Sequence, residues 1–170
     1  MSPERLCRTS PVCGKSHSAV LLDLDDTLYP ERDFVRGGFR AAAEMLSPRC
    51  LRDADELCEL FWQPFERGQR GSIFDAVLAE LGLPCDAALI DELVQAYRSH
   101  EPQLTLFPDA DRLLSVLSPQ FGLGVLTDGP ADVQRRKVKA LGLQRRVEVI
   151  IYSDDFGREH GKPSPVPYVE

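Results

Sequence analysis

Three short polar clusters in this chain carry residue types that handle charged ligands. Asp23-Leu24-Asp25-Asp26-Thr27 closes one apolar run. Thr127-Asp128-Gly129-Pro130 closes a second, and Ser153-Asp154-Asp155 a third, with Gly161-Lys162-Pro163 close behind. In a strand, side chains two residues apart point the same way, so Asp23 and Asp25 are expected to face a common point. Two carboxylates that close repel each other unless one is protonated or a cation lies beside them. Magnesium, a hard cation that takes oxygen ligands, is the natural candidate. Solvated carboxylates on an ordinary loop are the alternative, but they leave the apolar approach to the cluster unexplained.

The elements that must position these residues are legible as patterns. Ala19–Leu24 (AVLLDL), Phe121–Leu126 (FGLGVL) and Val147–Tyr152 (VEVIIY) are short apolar runs. The first reads as a strand buried on both faces. Asp109–Leu117 and Asp132–Leu141 read as helices, the second stopped by Gly142. Strands alternating with helices predict an α/β fold with a parallel sheet, and such sheets bind ligands beyond the carboxyl ends of their strands. All three clusters lie there.

Residues 31–101 differ in kind. Phe34, Val35, Phe39, Ala42, Met45 and Leu46 recur at helical spacing, as do Leu57, Leu60 and Phe61 before Pro64, which is expected to end or kink that helix. Ser72 and Asp75 resemble a capping box ahead of Ile73, Phe74, Val77, Leu78 and Leu81, with Gly82 as the stop. Leu89, Ile90, Leu93, Val94 and Tyr97 form a further stripe. The expected organisation is a polar tail over 1–18, a core from 19–30 and 102–170, and an all-helical insertion over 31–101.

Composition narrows the function classes. The 170 residues carry 27 acids against 20 Lys and Arg, a net charge of −7. That balance disfavours non-specific nucleic-acid binding, and an anionic substrate needs a local positive site. No apolar run approaches a membrane span, and the first eighteen residues lack the apolar centre of a signal peptide. The cysteines at 7, 13, 50, 58 and 85 contain no CxxC pair and point to a reducing, cytoplasmic compartment. Cys7 and Cys13 near His17 read as unpaired thiols rather than half a zinc site, and Cys50, Cys58 and Cys85 as small packing residues. His100 and His160 read as surface residues, and Trp62 and Phe65 as helical core. Arg135, Arg136, Lys137 and Lys139 read as a solvated basic face. Arg32 and Arg36 are candidates to touch an anionic substrate.

The clusters together resemble the motifs of the haloacid dehalogenase superfamily, in its phosphatase branch. Asp23-Leu24-Asp25-Asp26-Thr27-Leu28 matches the DxDxT motif after an apolar strand. Val125-Leu126-Thr127-Asp128-Gly129 matches the second motif, and Lys162-Pro163 the lysine of the third. The helical insertion looks like the family's C1 cap on a Rossmann-like parallel sheet core. The resemblance implies Asp23 as nucleophile, forming an aspartyl-phosphate, and Asp25 as general acid and base. It implies Thr127, Asp128, Gly129 and Lys162 around the phosphate, with Lys162 steadying negative charge. Magnesium would be held by the Asp23 carboxylate and the Asp25 backbone carbonyl. An acid at Asp25 disfavours dehalogenation, because the dehalogenating members lack one there. The implied substrate is a small phosphorylated metabolite.

The family's fourth motif, a further strand and trailing acids that complete the magnesium site, does not occur in the eight residues after Lys162. The resemblance therefore implies a chain truncated before that motif, with Asp154 or Asp155 as partial substitutes, weak magnesium binding and impaired activity. A non-catalytic relative with a binding role and a receiver-type phospho-acceptor domain are the alternatives.

Overall fold

The three apolar runs assemble into one parallel sheet. The computed structural model describes residues 18–169, so Cys7, Cys13 and His17 lie outside the described residues. Strands β1 (Ala19–Leu22), β2 (Gly122–Thr127) and β3 (Val149–Tyr152) stand in the order β1-β2-β3. Leu22 is level with Val125, and Thr127 with Tyr152. The central strand is almost wholly buried. Gly124 within it leaves room for Leu21 and Val149, each with a carbon 2.8 Å from where a β-carbon at 124 would stand.

The first strand departs from the expectation of burial on both faces. It stops at Leu22, and its residues alternate between exposed and half-buried, with Leu21 39% exposed. Its pairing explains this. Among the described residues β1 has a strand neighbour on one side only, so one flank stays open. Leu24, Leu28 and Tyr29, just beyond the strand, are buried instead, in a tight turn where the Leu28 N–H donates to the Leu24 carbonyl at 2.9 Å.

Between β1 and the next core helix lie four helices. They are α1 (Glu31–Cys50), α2 (Ala54–Glu66), α3 (Ile73–Glu80) and α4 (Ala87–Ser99). Asp53 and Asp86 cap α2 and α4, accepting from the N–H groups of Asp55 (2.7 Å) and Leu89 (2.8 Å). The capping box expected at Ser72 does not form. Ser72 adopts a left-handed backbone (φ 51) and makes no side-chain cap bond, whereas a capping side chain is aimed by an extended backbone. Pro64 does not end α2, which runs on to Glu66.

The helical block has its own apolar centre, with Leu46, Leu57, Phe61, Leu78 and Leu93 fully buried. Each such side chain contributes about 1.5–3 kcal/mol. The close crossing of α1 and α4 depends on Gly38, where a β-carbon would stand 2.5 Å from the Tyr97 ring. Trp62 is buried there, as expected. Cys58 is buried and Cys50 half-buried, but Cys85 is exposed, so it is not a packing residue.

The chain returns to the sheet through α5 (Pro108–Leu117) and α6 (Ala131–Ala140). A second apolar cluster joins Leu24, Leu28, Tyr29, Leu114, Leu123, Val125, Val138 and Leu143. Phe34 of α1 belongs to this second cluster, and Tyr97 of α4 packs against both. Those two rings tie the helical block to the sheet. Among the described residues, no helix is long and apolar enough to cross a membrane.

Candidate active site

The carboxyl end of the sheet gathers the predicted residues. Asp23 is the first residue past β1, and Thr127 the last of β2. Lys162, 139 residues further along the chain than Asp23, donates from Nζ to Asp23 Oδ1 and to the Leu126 carbonyl at 3.3 Å. The Thr27 hydroxyl donates to Asp23 Oδ2 at 3.3 Å. Thr127 is buried, and its hydroxyl has no hydrogen-bond partner among the described residues. Asp128 accepts the Lys162 backbone N–H on both oxygens at 3.2 Å, so its carboxylate anchors the lysine loop. Gly129 follows it with a positive φ of 105°.

Asp25 is held far more tightly. Lys137 Nζ donates to Oδ1 at 2.7 Å, and the Tyr29 hydroxyl donates to the same oxygen. Gln134 Nε2 donates to Oδ2 at 3.1 Å and also to the Asp128 carbonyl. Burial, then the Asp25 charge, push the Tyr29 hydroxyl far above its usual range, so it remains a donor. Burial, then the same charge, raise Glu31.

Sequence reasoning missed Lys137, Gln134 and Tyr29. The basic run on α6 is not wholly solvated: Arg135, Arg136 and Lys139 are exposed, but Lys137 is only 4% exposed. Its ammonium group also lies 4.6 Å from the centre of the Phe34 ring. The signal was present in spacing. Positions 134, 137, 138 and 141 share one helical face, and Val138 and Leu141 mark it as the inner one. The repulsion expected between Asp23 and Asp25 is thus met by two lysines, one beside each carboxylate.

Other candidates fall elsewhere. Asp154 accepts the Ala131 N–H at 3.0 Å at the start of α6, and Asp155 pairs with Arg135 at 2.6 Å. Among the described residues neither joins Asp23 and Asp25 in a group of three that could hold a metal ion. Arg32 pairs with Glu66 at 3.3 Å and Arg36 with Glu59, and both guanidinium groups lie over Trp62. Arg32, Trp62, Phe65 and Arg70 line a cavity of about 420 Å³ that reaches Asp26 and Glu31. His160 is partly exposed, 3.6 Å from Glu159. His100 is not a surface residue. It is half-buried against Phe34, ring centres 4.6 Å apart, with Nδ1 2.7 Å from the Tyr97 carbonyl oxygen. Burial lowers its pKa.

The donor set bears on a metal ion. Among the described residues no three His, Cys, Asp or Glu groups cluster to hold one. Asp23 offers hard oxygen, and the Asp25 side chain is committed to Lys137, Tyr29 and Gln134. This suits a cation that keeps several waters and uses one or two carboxylates with a substrate phosphate, the habit of magnesium.

Comparison with known proteins places the chain. A family model described as haloacid dehalogenase-like hydrolase matches residues 17–170. The chain is 28% identical over 164 residues to glyceraldehyde 3-phosphate phosphatase of Methanopyrus kandleri, covering 89% of this chain and 67% of that protein. Among solved structures it is similar to a HAD phosphatase from Thermococcus onnurineus, with TM-score 0.51 and 27% identity over 89% of this chain and 68% of that one. It is also similar to 2-haloacid dehalogenase from Pseudomonas syringae pv. Tomato, with TM-score 0.54 and 26% identity over 89% and 70%. The chain spans about two thirds of the length of the curated relatives it matches. With the parallel sheet, the convergent motif residues and a family match over nearly its whole length, the chain belongs to the haloacid dehalogenase-like hydrolases.

Proposed function

We propose that this chain carries the site of a magnesium-dependent phosphatase, acting on a small phosphorylated metabolite through an aspartyl-phosphate. The observation that carries the reading is the contact of Lys162 Nζ with Asp23 Oδ1 at the open end of the sheet. It places a positive charge beside a carboxylate that keeps 40% of its side chain exposed. The Asp23 carboxylate attacks phosphorus, forming a new O–P bond as the ester P–O bond breaks. Asp25, a carboxylate in its ion pair with Lys137, first gains a proton from solvent at Oδ2, which among the described residues accepts only from Gln134, and the departing oxygen then takes that proton. Asp25, then a carboxylate, takes a proton from the water that attacks the aspartyl-phosphate, which frees inorganic phosphate and restores Asp23. Lys162 offsets the negative charge that gathers on the transferring group, and the unpartnered Thr127 hydroxyl is a donor for one phosphoryl oxygen.

Magnesium would be held by the Asp23 carboxylate and the Asp25 backbone carbonyl, and when bound it neutralises charge on the phosphate. Helices α1–α4 are the cap, with the cavity beside Arg32, Trp62 and Arg70 facing the substrate. An acid at Asp25 favours phosphoryl transfer over dehalogenation, and the phosphatase named among the relatives supports the same class.

The test is release of inorganic phosphate from p-nitrophenyl phosphate and a panel of small sugar phosphates. Slow release that needs a high magnesium concentration and stops on chelation is expected, in keeping with the weak magnesium binding and impaired activity read from the sequence. Release indifferent to chelation would remove the metal from the reading, and no release from any ester would remove the reading itself.

A further inference from the structure

Lys137 is a lysine with almost no access to water, inside the sheet-facing side of α6. Burying an ammonium group is costly unless it is paired and hydrogen-bonded. Its partner is Asp25, 112 residues earlier in the chain, together with the face of Phe34. A pair kept only to fasten α6 to the turn after β1 gives no stability that an apolar pair of similar volume cannot match.

The arrangement does more than fasten. Asp25 Oδ1 accepts from Lys137 and Tyr29, and Oδ2 accepts from Gln134. Bonds to both oxygens fix the rotation of the carboxylate as well as its position. Gln134 also donates to the Asp128 carbonyl, and the Asp128 carboxylate accepts the Lys162 N–H. A continuous polar path therefore runs from Asp25 through Gln134, Asp128 and Lys162 to Asp23. It spans the turn after β1, the loop after β2, α6 and the lysine loop.

We propose that Lys137 and Gln134 are positioning residues, which hold the Asp25 carboxyl in the orientation from which it passes a proton to the leaving oxygen. This rests on the phosphatase reading above. Neither residue touches the reacting atoms; both act through Asp25.

Two esters separate this role from general support of the fold. p-Nitrophenolate leaves without needing a proton, whereas an alkoxide such as that of glycerol phosphate does not. In Lys137→Met, kcat/KM on glycerol phosphate, which reports the steps through transfer to Asp23, should fall about 10²-fold, the scale of a misplaced reacting group. On p-nitrophenyl phosphate kcat/KM should fall far less, since the later attack of water on the aspartyl-phosphate is common to both esters and does not enter it. Gln134→Leu keeps the buried ion pair, and it should show the same discrimination to a smaller degree. It decides the question should Lys137→Met not fold, as judged by circular dichroism. Equal losses in kcat/KM on the two esters, or no loss in either variant, would overturn the proposal while leaving the phosphatase reading intact. Failure of the unsubstituted chain to hydrolyse either ester would take down both.

Discussion

Asp23 and Asp25 leave the same strand two residues apart, and each meets a lysine brought from more than a hundred residues away. Their surroundings are otherwise opposite. The Asp23 and Lys162 side chains are 40% and 29% exposed, and Lys162 arrives on a loop. The Asp25 and Lys137 side chains are 24% and 5% exposed, and Lys137 arrives on a helix packed against the sheet. One carboxylate is guarded but reachable; the other is immobilised. The division fits the two tasks proposed. A nucleophile must be approached by its substrate, whereas a group that exchanges a proton must stay aimed at one atom.

The comparison breaks most visibly at Asp23. Replacing it by Asn removes the attacking carboxylate, and phosphate release should cease altogether. Near-normal turnover would end the idea that the open side does the bond-making. Asp25→Asn should slow hydrolysis by about 10²–10⁴, the range for a lost general acid and base, and most on esters of poor leaving groups. A uniform effect on kcat/KM across leaving groups would place Asp25 outside proton transfer to the leaving oxygen.

The next effect is on stability, where the order of the two sides should reverse. Lys137→Met leaves Asp25 without its ionic partner and should lower the unfolding free energy by about 3 kcal/mol, the low end for breaking a buried pair. Asp25 keeps a quarter of its side chain in water, which argues for that low end. Lys162→Met breaks a more exposed pair and should cost under about 1 kcal/mol. Urea midpoints at constant slope measure both. Equal costs would show that the two lysines differ in place but not in kind.

The smallest effect concerns His100, whose ring lies on Phe34, the same ring that Lys137 faces. Burial holds its folded-state pKa below the ordinary 6.5. The folded protein thus binds fewer protons than the unfolded chain as pH drops. The stability this group contributes is complete above about 6.5 and is lost progressively as pH falls from there through the folded value. Chemical denaturation from pH 8 to pH 5 should show that loss, and His100→Gln should flatten it. An unchanged profile in the variant would assign the acid sensitivity to other groups.

The sequence made the open side legible and the immobilised side obscure, for a physical reason. Asp23, Thr127 and Lys162 stand at or near strand ends, where the change from apolar run to polar cluster marks both fold and site. The sheet and the helical block were readable from the same periodicities. The Lys137 contact depends on which way α6 faces and on a partner 112 residues distant, which a basic run does not announce. Tyr29 follows the first acidic cluster, outside every apolar stripe read from the sequence, and is fully buried. The openness of β1 depends on its neighbours in the sheet, which its apolar residues do not specify. Ser72 failed as a cap because the pattern of types carries no information about its left-handed backbone.

Gly38 has a mechanical consequence. The Tyr97 ring occupies the space that any side chain at 38 would need, so α1 and α4 are keyed like a shaft in its slot. Sliding one helix along the other would drive the ring onto the neighbouring side chains of α1. Rotating the pair as one body leaves that fit intact and works instead against the Phe34 and Tyr97 contacts that join the block to the sheet. Displacement of the helical block against the sheet is therefore borne at those contacts and at the two connections at its base, at Pro30 and at His100–Pro102. The missing atoms at one position select which motions the molecule has left.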